Sequence, residues 1–289
     1  MICEYEKGLP GREIFGDTLC RLWGRTRTAV AAFFLAPCCW ADGDDPFFVT
    51  YTSQMEDLGE LEIETKNVTG KPGGGRRFLG SVLEFEYGST SWWTTEFYLN
   101  GQITANENTV FTGYRWENRF RLLHEKHWIN PVLYLEFENV NAADKSLLTV
   151  VGHEGIGDLK VPTDKARREL EREIEGKLIL DSSFKGWTIA ENLIFEKDVR
   201  HGPYEFGYAI GLYRAIGGAA TNSSFGLQST SHYLAPVVSW ALSHGVMLKF
   251  SPNFGLTDTS AGFLMRFGAS AEVEDFGGAI AKLFRGRRR

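Results

Sequence analysis

The sequence predicts an all-β chain whose strands are long enough to cross a membrane. Three observations predict it. Apolar and polar residues alternate with a period of two from residue 58 onward, aromatic rings gather near the ends of the alternating runs, and no cysteine occurs after Cys39. The composition agrees: 289 residues, 43% hydrophobic, 13% aromatic, 24% charged, with 32 Gly and 9 Pro. Such a chain is not collagen, coiled coil, disordered tail or a polytopic helical membrane protein. A net charge of −6 argues against a basic nucleic-acid-binding face.

The N-terminus reads as a secretory signal peptide over residues 1–41, with 1–20 suggesting a start placed upstream of the true one. Arg21, Arg25 and Arg27 precede a short apolar run, Ala29 to Leu35, then Pro37 and a small-x-small site at Cys39-Trp40-Ala41. That run is about half of the ~20 residues a spanning helix needs. All four cysteines, Cys3, Cys20, Cys38 and Cys39, fall inside this region, so the exported body has no thiol chemistry and no disulfide framework. Residues 42–57 are expected to form an N-terminal periplasmic segment.

The strands follow in order. A weaker run at 60–68 is succeeded by 79–87, where Leu79, Leu83, Phe85 and Tyr87 alternate with Glu84 and Glu86. Over 94–103, Phe97, Leu99 and Ile103 alternate with Thr94, Glu96, Asn100 and Gln102. Over 110–122, Val110, Thr112, Tyr114, Trp116, Phe120 and Leu122 oppose Arg115, Glu117, Arg119 and Arg121. Over 132–138, Leu133, Leu135 and Phe137 oppose Tyr134, Glu136 and Glu138. Clear alternation returns at 204–212 and 246–253, and weaker runs lie at 177–183, 187–197, 233–242 and 262–273. Several of these eleven runs reach the ~9 residues of a tilted membrane strand.

Residues 142–176 break the pattern. Thr163 or Asp164 can cap a helix that Gly176 ends, Ala166, Leu170 and Ile174 make a narrow apolar stripe, and Lys165–Glu169 and Arg167–Glu171 stand at i,i+4. A short helix is expected over about 163–175, as a loop insert.

One face of the alternating strands carries the rings, as a lipid–water girdle requires. The other carries small and charged residues. Glu60, Glu62, Glu64, Glu84, Glu86, Glu96, Glu136 and Glu138 are expected to face inward, with Arg115, Glu117, Arg119 and Arg121 stacked on one strand. The lining residues are therefore Glu84, Glu86, Glu96, Arg115, Glu117, Arg119, Arg121, Glu136 and Glu138. Phe97, Leu99, Tyr208, Ile210, Leu248 and Phe250 are expected to face outward. A soluble exported barrel or sandwich holding an apolar ligand also shows alternation, and it stays open as an alternative.

Chemistry-bearing motifs are weak. His124-Glu125-Lys126-His127 is one residue short of the helical zinc-protease spacing and stands before Pro131, in a turn. No G-x-S-x-G elbow occurs, and Gly73-Gly74-Gly75 lacks the Lys-Ser/Thr of a phosphate loop. No catalytic residue, metal or cofactor is expected, and an outer-membrane hydrolase is the enzymatic alternative.

Taken together, the leader, the amphipathic strands and the closing run Arg266-Phe267-Gly268-Ala269-Ser270-Ala271-Glu272-Val273 resemble a Gram-negative outer-membrane β-barrel protein over roughly residues 21–273. The closing run has the polar-x-Gly spacing of that family's assembly signal. It departs in having Ala271 and Val273 where aromatics are usual, and in running on into a basic tail, 274–289, ending Arg285-Gly286-Arg287-Arg288-Arg289.

The resemblance implies a closed up-and-down antiparallel transmembrane β-barrel over 58–273 with both termini in the periplasm. It implies an even strand count, which is taken as 12 with 217–230 as the weakest strand, or 10. It also implies outer-membrane lipid and the barrel-assembly machinery as partners, and small solutes or ions as cargo for a narrow pore with an acid-rich lumen. A purely structural role is the other reading.

Overall fold

The computed structural model describes residues 45–148, 156–200, 202–216, 223–230, 233–242 and 246–278. The signal-peptide region, residues 1–41, and most of the basic tail lie outside them. The described chain is a closed antiparallel barrel of twelve strands: β1 (Leu61–Gly70), β2 (Phe78–Thr90), β3 (Trp93–Thr104), β4 (Val110–Arg121), β5 (Asn130–Asn141), β6 (Leu170–Phe184), β7 (Trp187–Asp198), β8 (Tyr204–Ile216), β9 (Ser223–Thr230), β10 (Tyr233–Ala241), β11 (Val246–Gly255) and β12 (Phe263–Val273). Every strand pairs with its sequence neighbours and β1 closes on β12, from Leu61↔Val273 to Gly70↔Leu264. Closure leaves no edge, so every strand has a partner on both sides. β9 falls within the polar stretch 217–230 and completes the even count.

The barrel is inverted relative to a soluble domain. Leu135, Leu193, Phe97, Leu99, Tyr208, Ile210 and Phe250 are exposed on the outer wall, while Glu84, Glu86, Glu96, Arg115, Glu117, Arg119, Glu136 and Glu138 are buried inside. Exposed rings border the outer wall at both ends: Trp92, Trp128 and Trp240 at the mouth where β1 starts and β12 ends, Phe111, Tyr204, Phe206, Phe254 and Phe263 at the other. An outer wall apolar between two aromatic bands matches the solvent profile of a bilayer.

Two local features depart from the sequence expectation. The helix is only Thr163–Ala166 (α1), preceded by a 3-10 turn at Asp158–Lys160, and residues 170–175 belong to β6. Leu170, Arg172 and Ile174 also fit a period of two. A solitary amphipathic helix has little to pack against, whereas β5 pairs with this stretch from Asn141↔Leu170 to Asn130↔Asp181. The helical ion pairs expected there are replaced, among the described residues, by Arg167–Asp164 at 3.8 Å. The second departure is a bulge in β4. Asn100 pairs with Gly113 but Gly101 with Phe111, leaving Thr112 extra and turned inward. Gly113 sits at φ 154°, and a Cβ there would strike the Asn139 carbonyl.

Candidate functional site

Twelve strands enclose more space than the ~8 whose side chains alone fill a barrel. Three things occupy it. The first is the segment before β1, expected as a periplasmic segment over 42–57. Its described part instead enters the barrel, with residues 46–50 and Thr52 buried, for a physical reason: Phe47, Phe48 and Val49 are apolar, and the wall opposite is hollowed by small residues. These three pack on Ala190, Ile194, Ala209 and Val237. Phe47 meets Tyr213 edge-on at 5.6 Å, and a Cβ on Gly211 would overlap its ring.

Buried backbone must find partners, and the wall provides them. Asn192 clamps Tyr51 in both directions, accepting from its N–H at 2.7 Å and donating to its carbonyl at 2.8 Å. Asp181 accepts from the Ser53 N–H at 3.0 Å and hydroxyl at 2.7 Å, and is itself held by Asn130. Arg119 donates to the Gln54 carbonyl at 3.0 Å and Arg121 to that of Ser53 at 3.5 Å. Burial pushes the Asp45 carboxyl up from its usual range against the pull of Arg119, and pushes the Tyr51 hydroxyl well up, with Glu117 adding to the shift.

The second occupant is the wall's own charge network. Arg119 donates from Nε to Glu96 at 2.6 Å and from Nη2 to Glu86. The Tyr98 hydroxyl lies 2.5 Å from both Glu96 and Glu117, and Tyr51 reaches Glu117 at 3.0 Å. Arg115 holds Glu138 at 2.6 Å and Glu136 at 3.5 Å. Lys66 pairs with Glu84 at 2.5 Å, Lys249 with Glu64 at 2.8 Å, and Lys177 with Glu175 at 2.7 Å.

The third occupant is residues 142–147 of the β5–β6 connection, folded into the opposite mouth. Arg266 donates to the Ser146 and Leu147 carbonyls, Lys145 donates to Thr104 at 2.9 Å, and Thr112 donates to Asp144 at 2.6 Å. Gly80 is required here because a Cβ would overlap the Lys145 carbonyl. Burial pulls the Lys145 ammonium below its usual range, with Glu107 opposing. Two spaces remain. One, of ≈ 470 Å³, lies toward the mouth where β1 starts and is lined by Glu62, Glu86, Glu96, Arg121, His124 and Lys249, among others; another, of ≈ 230 Å³, lies by Glu138, Asp144 and Glu173.

Register gives the wall a further order. Glu272 of β12 stands directly across from Glu62, and the pairing continues Glu62↔Glu86, Glu86↔Glu96, Glu96↔Glu117, Glu117↔Glu136, Glu136↔Glu175, Glu175↔Glu196 and Glu196↔Glu205. Nine adjacent strands thus each place a glutamate in one row. The row starts at the end of β12, at the mouth where β1 begins. It finishes at the start of β8, an even-numbered strand that begins at the opposite mouth. Because barrel strands tilt, the row climbs the inner wall from end to end.

Of the residues read from the sequence as lining, eight are buried on this inner wall, and Arg121 is half-buried at the mouth. Sequence reading missed Glu173 and Glu175, because 163–175 reads as helix, and Lys177, which opens a run, 177–183, too weak to assign a face. It also missed the strap of residues 45–57. The available signal was an apolar triplet, Phe47-Phe48-Val49, too short to be a lipid-facing strand.

No protein-family model and no curated protein matches the chain. Among solved structures, an outer-membrane channel from Pseudomonas putida F1 superposes at TM-score 0.51 with 9% identity, covering 80% of this chain and 100% of that one. The β domain of a Bordetella autotransporter (TM-score 0.38, 14% identity, 74% and 99% covered) also matches. So does the translocator domain of an autotransporter from Neisseria meningitidis (TM-score 0.37, 9% identity, 90% and 99% covered). The first establishes a shared fold. The class defined by closure, inversion and strand length is the outer-membrane β-barrel.

Proposed function

We propose that this protein is an outer-membrane barrel of channel type, closed at rest by its own N-terminal strap, with an acid-rich inner wall that favours cations when the strap leaves. The observation that carries this is the seating of residues 45–55 through hydrogen bonds to side chains of β4, β6 and β7, on a wall shaped for Phe47. The likeness to the Pseudomonas channel supports the channel class. The arrangement of apolar surface outside and charge inside favours lipid as the outer partner. It disfavours a soluble barrel with an apolar ligand, whose cavity would need the opposite arrangement. Assembly by the outer-membrane insertion machinery through β12 belongs to the same reading, as does export by the leader. The reading assigns no catalysis.

Planar-bilayer recording tests it. The intact chain should show little or no unitary conductance, and removal of residues 45–55 should give steady steps whose reversal potential favours cations, since acidic rings select by sign. Large anion-selective steps from the intact chain, or silence from a folded deletion variant, would defeat the reading.

A further inference from the structure

The glutamate row is costly as structure. Like charges directly across a strand pair destabilise a sheet, and here eight such pairs follow one another. The fixed cations fall short of offsetting them. Among the described residues, twelve carboxylates are buried on the strands against six Lys and Arg. Charge held in a confined, poorly solvated interior demands compensation. A second observation points to where it comes from. At the far end of the row Glu175 and Glu196, both almost fully buried, each leave an Oε2 buried without a hydrogen-bond partner, and the next member, Glu205, does the same. These three belong to neighbouring strands in direct register.

We infer that the row is a binding track for hard divalent cations. The donors are all carboxylate oxygens, the set that takes Ca²⁺-like ions rather than soft metals. Neighbouring strands lie ~4.8 Å apart. An ion with oxygen ligands at ~2.3–2.6 Å can therefore bridge two successive carboxylates. Toward the mouth where β1 starts the spacing is already close: oxygens of Glu84, Glu86 and Glu96 lie within 4.8 Å of one another, as do those of Glu56, Glu62 and Glu86. There Arg119 sits between Glu86 and Glu96 as a fixed cation. At the other end Lys177 holds Glu175 through Oε1 only, and the Oε2 atoms of Glu175, Glu196 and Glu205 make the station for a mobile cation. The inference deepens the channel reading by naming what the wall binds. Binding itself requires only the folded barrel.

Equilibrium dialysis with radiolabelled Ca²⁺ on the detergent-folded full chain tests it, with folding checked by the heat-dependent shift on gels. Wild type should bind Ca²⁺ saturably in 100 mM-range monovalent salt, and Glu175→Gln with Glu196→Gln should weaken binding at least about tenfold. The exposed-loop variant Glu125→Gln should bind as wild type does. Should the double variant fail to fold, Glu205→Gln alone, at the mouth, should still lower the affinity. No saturable binding by wild type, with the carboxylates instead taking up protons near neutral pH, would overturn the inference; so would equal affinity in a folded variant. Binding without any conductance from strap-deleted protein would sink the channel reading alone, and conductance without binding would sink the track alone.

Discussion

Arg119 shows how much one side chain holds here. Its guanidinium reaches Glu86 and Glu96 on the wall, approaches Asp45 at 3.5 Å, and holds the strap carbonyl of Gln54. A bidentate, always-charged fork is what such a site requires, and Lys is not an equivalent replacement. Arg119→Met should strand buried carboxylates and cost about 3–5 kcal/mol, seen as a lower denaturant midpoint for the folded barrel. A midpoint within experimental error of wild type would show that the carboxylates are already protonated. Gly211 acts differently. Gly211→Leu fills the recess that Phe47 occupies, so the strap should be displaced while the barrel still forms. The expected readout is conductance gained with heat-modifiability kept, and a closed Gly211→Leu barrel would place the seal elsewhere.

Among the elements, β6 is the one that the sequence disguised. Its first turn of alternation, 170–173, is hydrogen-bonded to β5 through Val140↔Glu171 and Glu138↔Glu173, and begins its pairing with β7 at Glu173↔Asp198. Deleting 170–173 should therefore abolish assembly, whereas deleting 156–161 should leave heat-modifiable barrel. Folded protein from the first deletion would show that β6 can start later. The connection before β6 carries a pH dependence of its own. Glu107 is partly desolvated, which opposes its ionisation. The Thr163 hydroxyl and N–H, donating at 2.6 and 2.8 Å, outweigh this, with Lys145 and Arg76 nearby, and hold the carboxyl below its usual range. A depressed carboxylate stabilises the fold above its ordinary value and loses that stabilisation as pH falls through the folded-state value. Acidification past that range should loosen α1 from the β3–β4 loop, measured as faster amide exchange at Thr163. Glu107→Gln should show the fast rate at every pH.

For the whole molecule, stability depends on matching the outer wall to lipid. Leu193 stands at mid-strand in β7 and is 57% exposed. An arginine there should cost ~2–4 kcal/mol if the position lies at the bilayer midplane. Leu58→Arg, at a residue even more exposed but outside the strands, should be near neutral. Urea titration of the folded fraction in liposomes distinguishes the two, and equal midpoints would argue against a membrane-embedded belt.

The sequence by itself determined which face of each long strand is apolar, because a period of two needs only local order. Phe97, Leu99 and Glu96 on β3, or Leu133, Leu135 and Glu136 on β5, are legible without knowing their neighbours. It also determined the excess of inward acid, and with it most of the candidate site. Only the tertiary structure decided the rest. Residues 170–175 satisfy both a helical and a β period, and the partners on β5 and β7 choose between them. The bulge at Gly113 flips Thr112 inward because two strands must stay in register. Residues 45–57 carry no periodic signal, and their place inside the barrel follows from recesses made by Ala209, Gly211 and Val237, which are distant in the chain. The glutamate row is invisible for the same reason. Its nine members are scattered from Glu62 to Glu272 and align only through cross-strand register, which closure of the barrel fixes.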